Sequence, residues 1–167
     1  ETERSVAVGF TLGIVELVAR DWEVNIVGHL GPDPLGPDWD EEEASRRMLQ
    51  RPDRTLHEAL LDQTNLAGIG NMYAVEVCFV SGVPPATPVR LVPDLIAVLR
   101  RAKLMLEQNS RRATQTTTGD RRDPHWVYRR QHLGCRRCGG AVSMNMLGPS
   151  GRERPAFWCA HCQPPPG

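Results

Sequence analysis

The sequence predicts an α+β fold in three consecutive parts. Alternating apolar residues near the N-terminus predict strands, and capped amphipathic segments in the middle predict helices. Two closely spaced cysteine pairs near the C-terminus enclose a segment suited to a β-hairpin. We therefore divide the chain into residues 1–39, 40–123 and 124–167. Its 167 residues, 40% of them hydrophobic, suffice for a buried core.

The N-terminal part is rich in strand-forming residues. The segment from Ser5 to Val27 begins with an alternating apolar pattern, and Trp22 to Ile26 is expected to pair back on it as a second strand. Two strands cannot bury their own apolar faces, so we expect them to be the tail of a larger sheet. The segment from Gly28 to Asp40 holds three prolines and three glycines, which predicts an interdomain loop.

Two short helices are predicted after this loop. Asp40 is a suitable N-cap for a helix from Glu41 to Gln50, whose acids fall in its first turn as the helix dipole favours. The stretch Thr55-Leu-His-Glu58 has the capping-box pattern and opens a second helix, which is expected to run to about Leu66.

Two further helices follow a glycine-containing turn at residues 67–70. The third helix is predicted to run from Asn71 through Val80, with Gly82 ending it, and Pro93 is expected at the first position of the fourth. Free backbone amides at the start of the third helix suit an anion, although a purely structural turn is the better explanation of the Gly-x-Gly pattern taken alone.

Charge is unevenly distributed along a chain whose net charge is zero. Residues 1–63 contain fourteen acids and six arginines, whereas residues 64–167 contain six acids, thirteen arginines and Lys103. A basic C-terminal part favours a polyanionic partner, and arginine suits bidentate phosphate contacts. A general compositional preference for arginine would produce the same excess. The basic segment from Arg111 to Asp123 lacks apolar periodicity and is predicted to be a mobile loop or a plain solvated linker.

Two Cys-x2-Cys pairs lie near the C-terminus. Twenty residues separate Cys135 and Cys138 from Cys159 and Cys162, the spacing of a four-thiolate structural zinc site. The intervening residues can form two strands joined at Gly148–Gly151, so the metal is expected to hold the base of a β-hairpin. Two disulfides are the alternative. The fifth cysteine, Cys78, lies in an apolar run and is expected to be a buried thiol.

Four motifs resemble the formamidopyrimidine-DNA glycosylase and endonuclease VIII family, in the family's order. Residues 60–76 resemble its helix-two-turn-helix, and residues 28–35 resemble the segment that leaves its N-terminal β-sandwich. Residues 127–130 and 154–163 resemble its zinc finger. The Leu-Asp-Gln and Arg-Pro-x-x-Trp-Cys variants favour the endonuclease VIII branch.

The resemblance implies base-excision repair of oxidised bases by a DNA glycosylase that also cleaves abasic sites. It further implies one structural Zn²⁺, a monomer on damaged double-stranded DNA, and a cytoplasmic, nucleoid-associated protein. The implied DNA contacts are Asn71, Gly70, Arg130 and Arg154, with Arg152 as an alternative to Arg154. The implied metal ligands are Cys135, Cys138, Cys159 and Cys162. Residues 111–123 fall where the family keeps a loop over the everted base.

The chain departs from the family at its start. The family's nucleophile is an N-terminal proline followed by glutamate, whereas this sequence begins Glu1-Thr2-Glu3. We therefore expect the DNA-binding part of a longer enzyme, inactive alone because it lacks the nucleophile. A lysine that often contacts phosphate in the family is replaced by Thr64. A non-catalytic zinc-ribbon module that binds nucleic acid or protein is the alternative. No apolar run reaches transmembrane length.

Overall fold

The computed structural model describes residues 16–166 and confirms the α+β class. The described residues form a set of helices and one two-stranded sheet. The helices are α1 (Glu23–Val27), α2 (Glu41–Met48), α3 (Leu56–Leu61), α4 (Asn71–Ser81) and α5 (Leu95–Asn109), and the strands are β1 (Ser143–Leu147) and β2 (Arg154–Trp158). None of the helices within residues 16–166 combines the length and the apolar character that a membrane span requires.

The predicted strand from Trp22 to Ile26 is wrong. These residues form a 3-10 turn at Arg20–Trp22 and then α1, and neither element buries a side chain. A hydrogen bond from Gly28 N to Val24 O, 2.8 Å long, satisfies within the helical turn two backbone groups that a strand would have to pair with another strand. The preceding alternating positions, Val6, Val8, Phe10 and Leu12, lie outside the described residues.

The predicted helix caps are confirmed. Asp40 accepts a 2.9 Å hydrogen bond from Glu43 N, and Thr55 and Glu58 form both bonds of a capping box. These bonds satisfy first-turn amides that have no partner inside the helix.

Three predicted helix boundaries need correction. The first helix ends at Met48 rather than Gln50. The second ends at Leu61 rather than Leu66, because the Asp62 carboxylate accepts hydrogen bonds from the backbone and hydroxyl of Thr64 and turns the chain. The fourth begins after Pro93, since Asp94 is its N-cap and accepts a 2.8 Å bond from Ala97 N.

Helix α4 is the centre of the fold because it is buried on two sides. One face packs with α2, α3 and α5 in a core that includes Leu56, Leu60, Val77 and Leu99. The other face places Val75 and Phe79 against the C-terminal hairpin. Gly82 ends the helix with a φ of 69°, a left-handed conformation that glycine adopts without a Cβ clash.

The predicted C-terminal hairpin is confirmed. Strands β1 and β2 are antiparallel, with Met144 opposite Phe157 and Leu147 opposite Arg154. The predicted turn joins them, and Gly148 and Gly151 both have positive φ. Ala156 and Phe157 are buried against α4, so the hairpin and the helices share a packed boundary.

The middle of the basic segment 111–123 is anchored. The Asn109 side chain donates to Thr116 O at 3.0 Å and accepts from Thr116 N at 2.8 Å, and Thr116 is 4% exposed. The arginines on either side are exposed. The central threonines of this segment are therefore held in place by hydrogen bonds, and the prediction of a mobile loop is wrong for them.

Candidate nucleic-acid interface and metal centre

A groove of about 800 Å³ separates the turn before α4 from the C-terminal hairpin. Five arginines line it, together with Gly70, Asn71 and Tyr128: Arg51, Arg54, Arg129, Arg152 and Arg154. Glu58 and Asp62 also line it, but Glu58 is engaged in the α3 capping box and Asp62 forms a 2.7 Å ion pair with Arg54. The groove therefore carries a net positive charge.

Asn71 joins the two sides of this groove. Its Nδ2 donates a 3.0 Å hydrogen bond to Pro155 O, and its Oδ1 lies 2.8 Å from Nε2 of His57. The carbonyl of Pro155 can only accept, so the amide orientation is fixed and His57 must carry its proton on Nε2. Burial lowers the pKa of His57, which favours this neutral form. One Nδ2 proton of Asn71 remains for a ligand.

The N-terminus of α4 lacks the side-chain cap that α2, α3 and α5 possess. Its N-cap is Gly70, which lines the groove. Gly70 has a φ of −99°, and an added Cβ would meet no atom within 4 Å. Neither backbone conformation nor internal packing requires glycine here. The open space leaves the first amides of α4 accessible to an anion.

The hairpin contributes two unpaired arginines to the groove. Arg154 is the first residue of β2, and Arg152 lies in the preceding turn; both are exposed. Within residues 16–166, neither guanidinium lies in an ion pair with a carboxylate. The structure thus brings Arg154 and Arg152 together with Asn71 and Gly70 around one groove.

Arg130 does not join this group. Its guanidinium pairs with Asp123 and donates to Gly134 O at 3.2 Å, and its side chain is 14% exposed. Arg129 lines the groove instead. Sequence alone does not distinguish these adjacent arginines, because the backbone turn that separates their directions is not encoded by periodicity.

Glu76 is a buried anchor that the sequence analysis missed. Its carboxylate accepts 2.8 Å hydrogen bonds from the backbone amides of Trp126, Val127 and Tyr128, and another from the Thr117 hydroxyl. The sequence signal for this role is that Glu76 is the single acidic residue within the largely apolar helix α4. Glu76 thereby fixes the segment that leads into the hairpin.

The four predicted cysteine ligands converge. Their sulfurs all lie within 4.8 Å of one another, with Cys135 and Cys162 3.8 Å apart and Cys138 and Cys159 3.5 Å apart. A disulfide needs sulfurs about 2.05 Å apart, whereas tetrahedral bonds of about 2.3 Å to one ion place them roughly 3.8 Å apart. The cluster therefore fits one metal ion. Cys78 is a separate, fully buried thiol whose pKa is raised by burial.

The family model for the formamidopyrimidine-DNA glycosylase H2TH domain matches residues 30–118. The chain belongs to this family. Its H2TH match covers α2 to α5, which include both sides of the turn at Gly70.

Two relatives align with nearly the whole chain. A Mycolicibacterium smegmatis protein named DNA-(apurinic or apyrimidinic site) lyase Nei2 is 44% identical over 98% of this chain and 64% of its own length. A Streptomyces coelicolor protein named probable endonuclease 8 2 is 47% identical over 99% of this chain and 60% of its own length. The chain thus spans less than two thirds of these relatives.

Solved structures share the fold of this H2TH protein. Thermus thermophilus MutM (Fpg) has a TM-score of 0.70 at 27% identity, covering 87% of this chain and 58% of that one. Lactococcus lactis Fpg, solved with abasic-site DNA, has a TM-score of 0.70 at 23% identity, covering 88% and 57%.

Proposed function

We propose that this chain is the damaged-DNA-binding part of a base-excision-repair DNA glycosylase and abasic-site lyase that acts on oxidised bases. The observation that carries the proposal is the groove lined by Asn71, the uncapped start of α4 and two hairpin arginines that form no ion pair within residues 16–166. The names of the two relatives, a lyase and an endonuclease 8, support this assignment. The bound partner is double-stranded DNA with an oxidised base or an abasic site, engaged by a monomer.

Each side of the groove suits a backbone phosphate. Amides at a helix N-terminus and the free Asn71 proton attract an anion from one side, and the guanidinium of Arg154 can make two parallel bonds to phosphate oxygens from the other. Phosphates fix a protein on DNA without reading its sequence. We assign Gly70, Asn71 and Arg154 to these contacts, with Arg152 beside them, and we assign Arg130 to support of the hairpin base.

We also propose that the four cysteines hold one structural Zn²⁺. Four thiolates without an open position are typical of structural zinc sites. Gly140 supports close packing of the cluster, since a Cβ there would lie 3.3 Å from the Cys138 sulfur. The metal would hold the base of the hairpin in place and so fix the position of Arg154 relative to the groove.

We propose the same three-part division of the chain, with boundaries at residues 39/40 and 123/124. The second and third parts pack against each other through one face of α4. Binding to chromosomal DNA would place the protein in the bacterial cytoplasm.

A salt-dependent titration tests the proposed function. The chain is mixed with a duplex that holds one abasic-site analogue and with the undamaged duplex, at several salt concentrations. If about six phosphates are contacted, the logarithm of the affinity should fall with a slope near −5 against the logarithm of salt. Arg154→Ala should weaken binding, and Arg101→Ala, an exposed arginine on α5 away from the groove, should not.

Borohydride trapping on a natural abasic site completes the test. Binding without a trapped adduct assigns this chain to recognition, whereas an adduct assigns lyase chemistry to it as well. A flat salt response and equal affinity of wild type and Arg154→Ala would instead favour a protein-binding zinc ribbon.

A further inference from the structure

We propose that Arg129 makes an additional contact with a DNA phosphate. Its left-handed backbone conformation and its contact with the Tyr128 ring position the side chain for this role. The inference deepens the proposed DNA-binding function and rests on it.

The backbone of Arg129 is the first observation. Its φ is 58°, the one positive value among non-glycine residues in the described part of the chain. A non-glycine residue in this region costs about 1 kcal/mol or more, and such residues concentrate at binding and catalytic sites. Glycine at this position would avoid the conformational cost. We therefore infer that the arginine side chain has a function of its own.

The position of the side chain is the second observation. Arg129 lines the groove, while the next residue, Arg130, pairs with Asp123. Arg136 also lies near Asp123, at 3.4 Å. No carboxylate within residues 16–166 forms an ion pair with Arg129. Among the described residues, its charge is therefore not used by an ion pair and can serve a bound phosphate.

The contact with Tyr128 is the third observation. The Arg129 guanidinium carbon lies 5.3 Å from the centre of the Tyr128 ring. The Tyr128 ring forms T-shaped contacts with the rings of His125 and Phe157, and the ring centroids lie 5.3 Å and 5.6 Å from that of Tyr128. A guanidinium held over an aromatic ring by a cation–π contact still has N–H donors, which suit contact with a phosphate. Glu76 fixes Tyr128 N, so this platform is also tied to α4.

These observations place a cation on the hairpin base, separate from Arg154 at the start of β2. Two cations at different points along one groove can engage two phosphates of one strand. Arg129 would then help to fix the position of the bound DNA strand along the groove, in addition to strengthening the non-specific attraction between protein and DNA.

The substitution Arg129→Gly tests the inference without risk to the fold, because glycine accepts the positive φ. We expect unchanged or higher thermal stability, roughly tenfold weaker binding to abasic-analogue duplex, and a salt slope smaller by about 1. Arg129→Lys should recover part of the affinity, since lysine keeps the charge but loses the planar fork. Arg101→Ala is the matched control.

The inference is overturned if Arg129→Gly keeps both wild-type affinity and wild-type salt slope while Arg154→Ala weakens binding. That result would leave the proposed function intact. If the wild-type chain itself shows no salt-dependent DNA binding, the proposed function and this inference both fail.

Discussion

Asn71 Nδ2 donates a 3.0 Å hydrogen bond to the carbonyl oxygen of Pro155, 84 residues further along the chain. The bond spans the end of the groove and connects the start of α4 to β2. The residue proposed to contact phosphate therefore also positions the strand that carries Arg154. Recognition and assembly of the interface depend on the same amide.

Replacing Asn71 tests this link. Asn71→Ala removes the bonds to both His57 and Pro155 and leaves two polar groups without their partner. We expect the free energy of unfolding to fall by about 1–3 kcal/mol. Urea denaturation measures it. Asn145→Ala, an exposed asparagine on β1, is the control and should have little effect. Equal stabilities for the two variants would contradict the structural role of Asn71.

Glu76 should be intolerant of even a conservative change. Glu76→Gln replaces an oxygen acceptor by an amide donor that faces backbone N–H groups of residues 126–128. We expect a loss of roughly 2–3 kcal/mol, because hydrogen bonds to a charged group are lost and a donor is left unpaired. Denaturation gives the stability, and hydrogen exchange should show faster exchange at residues 126–128.

A matched change on the surface provides the comparison for Glu76. Glu107 is half-exposed and forms an i,i+4 pair with Lys103. Glu107→Gln should cost no more than about 0.5 kcal/mol. If Glu76→Gln costs as little as this control, the buried anchor has been misidentified.

The environment of His57 predicts how stability varies with pH. Burial lowers its pKa in the folded protein below the ordinary value of about 6.5. As pH falls below about 6.5 the unfolded chain takes up a proton that the folded chain refuses, so this contribution to stability is complete above that pH and decreases below it. Urea midpoints between pH 7.5 and 5.5 measure the loss.

His57→Gln should reduce that pH dependence, whereas His132→Gln, at an exposed position, should leave it as in wild type. An identical pH slope in wild type and His57→Gln would show that His57 is not the group responsible.

The metal prediction separates the five cysteines into two classes. A strong chelator should expose the four clustered thiols to a thiol reagent, while Cys78, with 0% exposure, should stay protected in α4. Ligand thiolates released from a metal become reactive, and the hairpin loses the binding energy that folds it. DNA affinity should fall in parallel. Chelator saturated with zinc is the control. Four clustered thiols that already react fully before chelation, with Cys78 still protected, would contradict a metal site.

Sequence predicted best what depends on local spacing. The caps at Asp40 and Thr55, the αL glycine at Gly82 and the two cysteine pairs are each set by residues a few positions apart. The family resemblance brought Asn71 and Arg154 to one site, although they lie far apart in the chain.

Two of the features that the sequence analysis missed depend on distant partners. The role of Glu76 is set by amides about 50 residues away. The early end of α3 is a local effect instead, since the Asp62 side chain bonds to Thr64, two residues further on. The choice between Arg129 and Arg130 follows from one positive φ and the position of Asp123. Residues 23–27 form a helix, so their apolar β-branched side chains do not by themselves specify a strand.

The central claim is that DNA lies in the groove between the start of α4 and the hairpin. An NMR titration of the isotope-labelled chain with an abasic-analogue duplex tests it most directly. We expect the amide signals of residues 70–73, 129, 152 and 154 to shift together and saturate at one equivalent, while Arg100 and Arg101 on α5 do not change. Saturable binding that shifts α5 and leaves residues 70–73 and 154 unchanged would contradict the account.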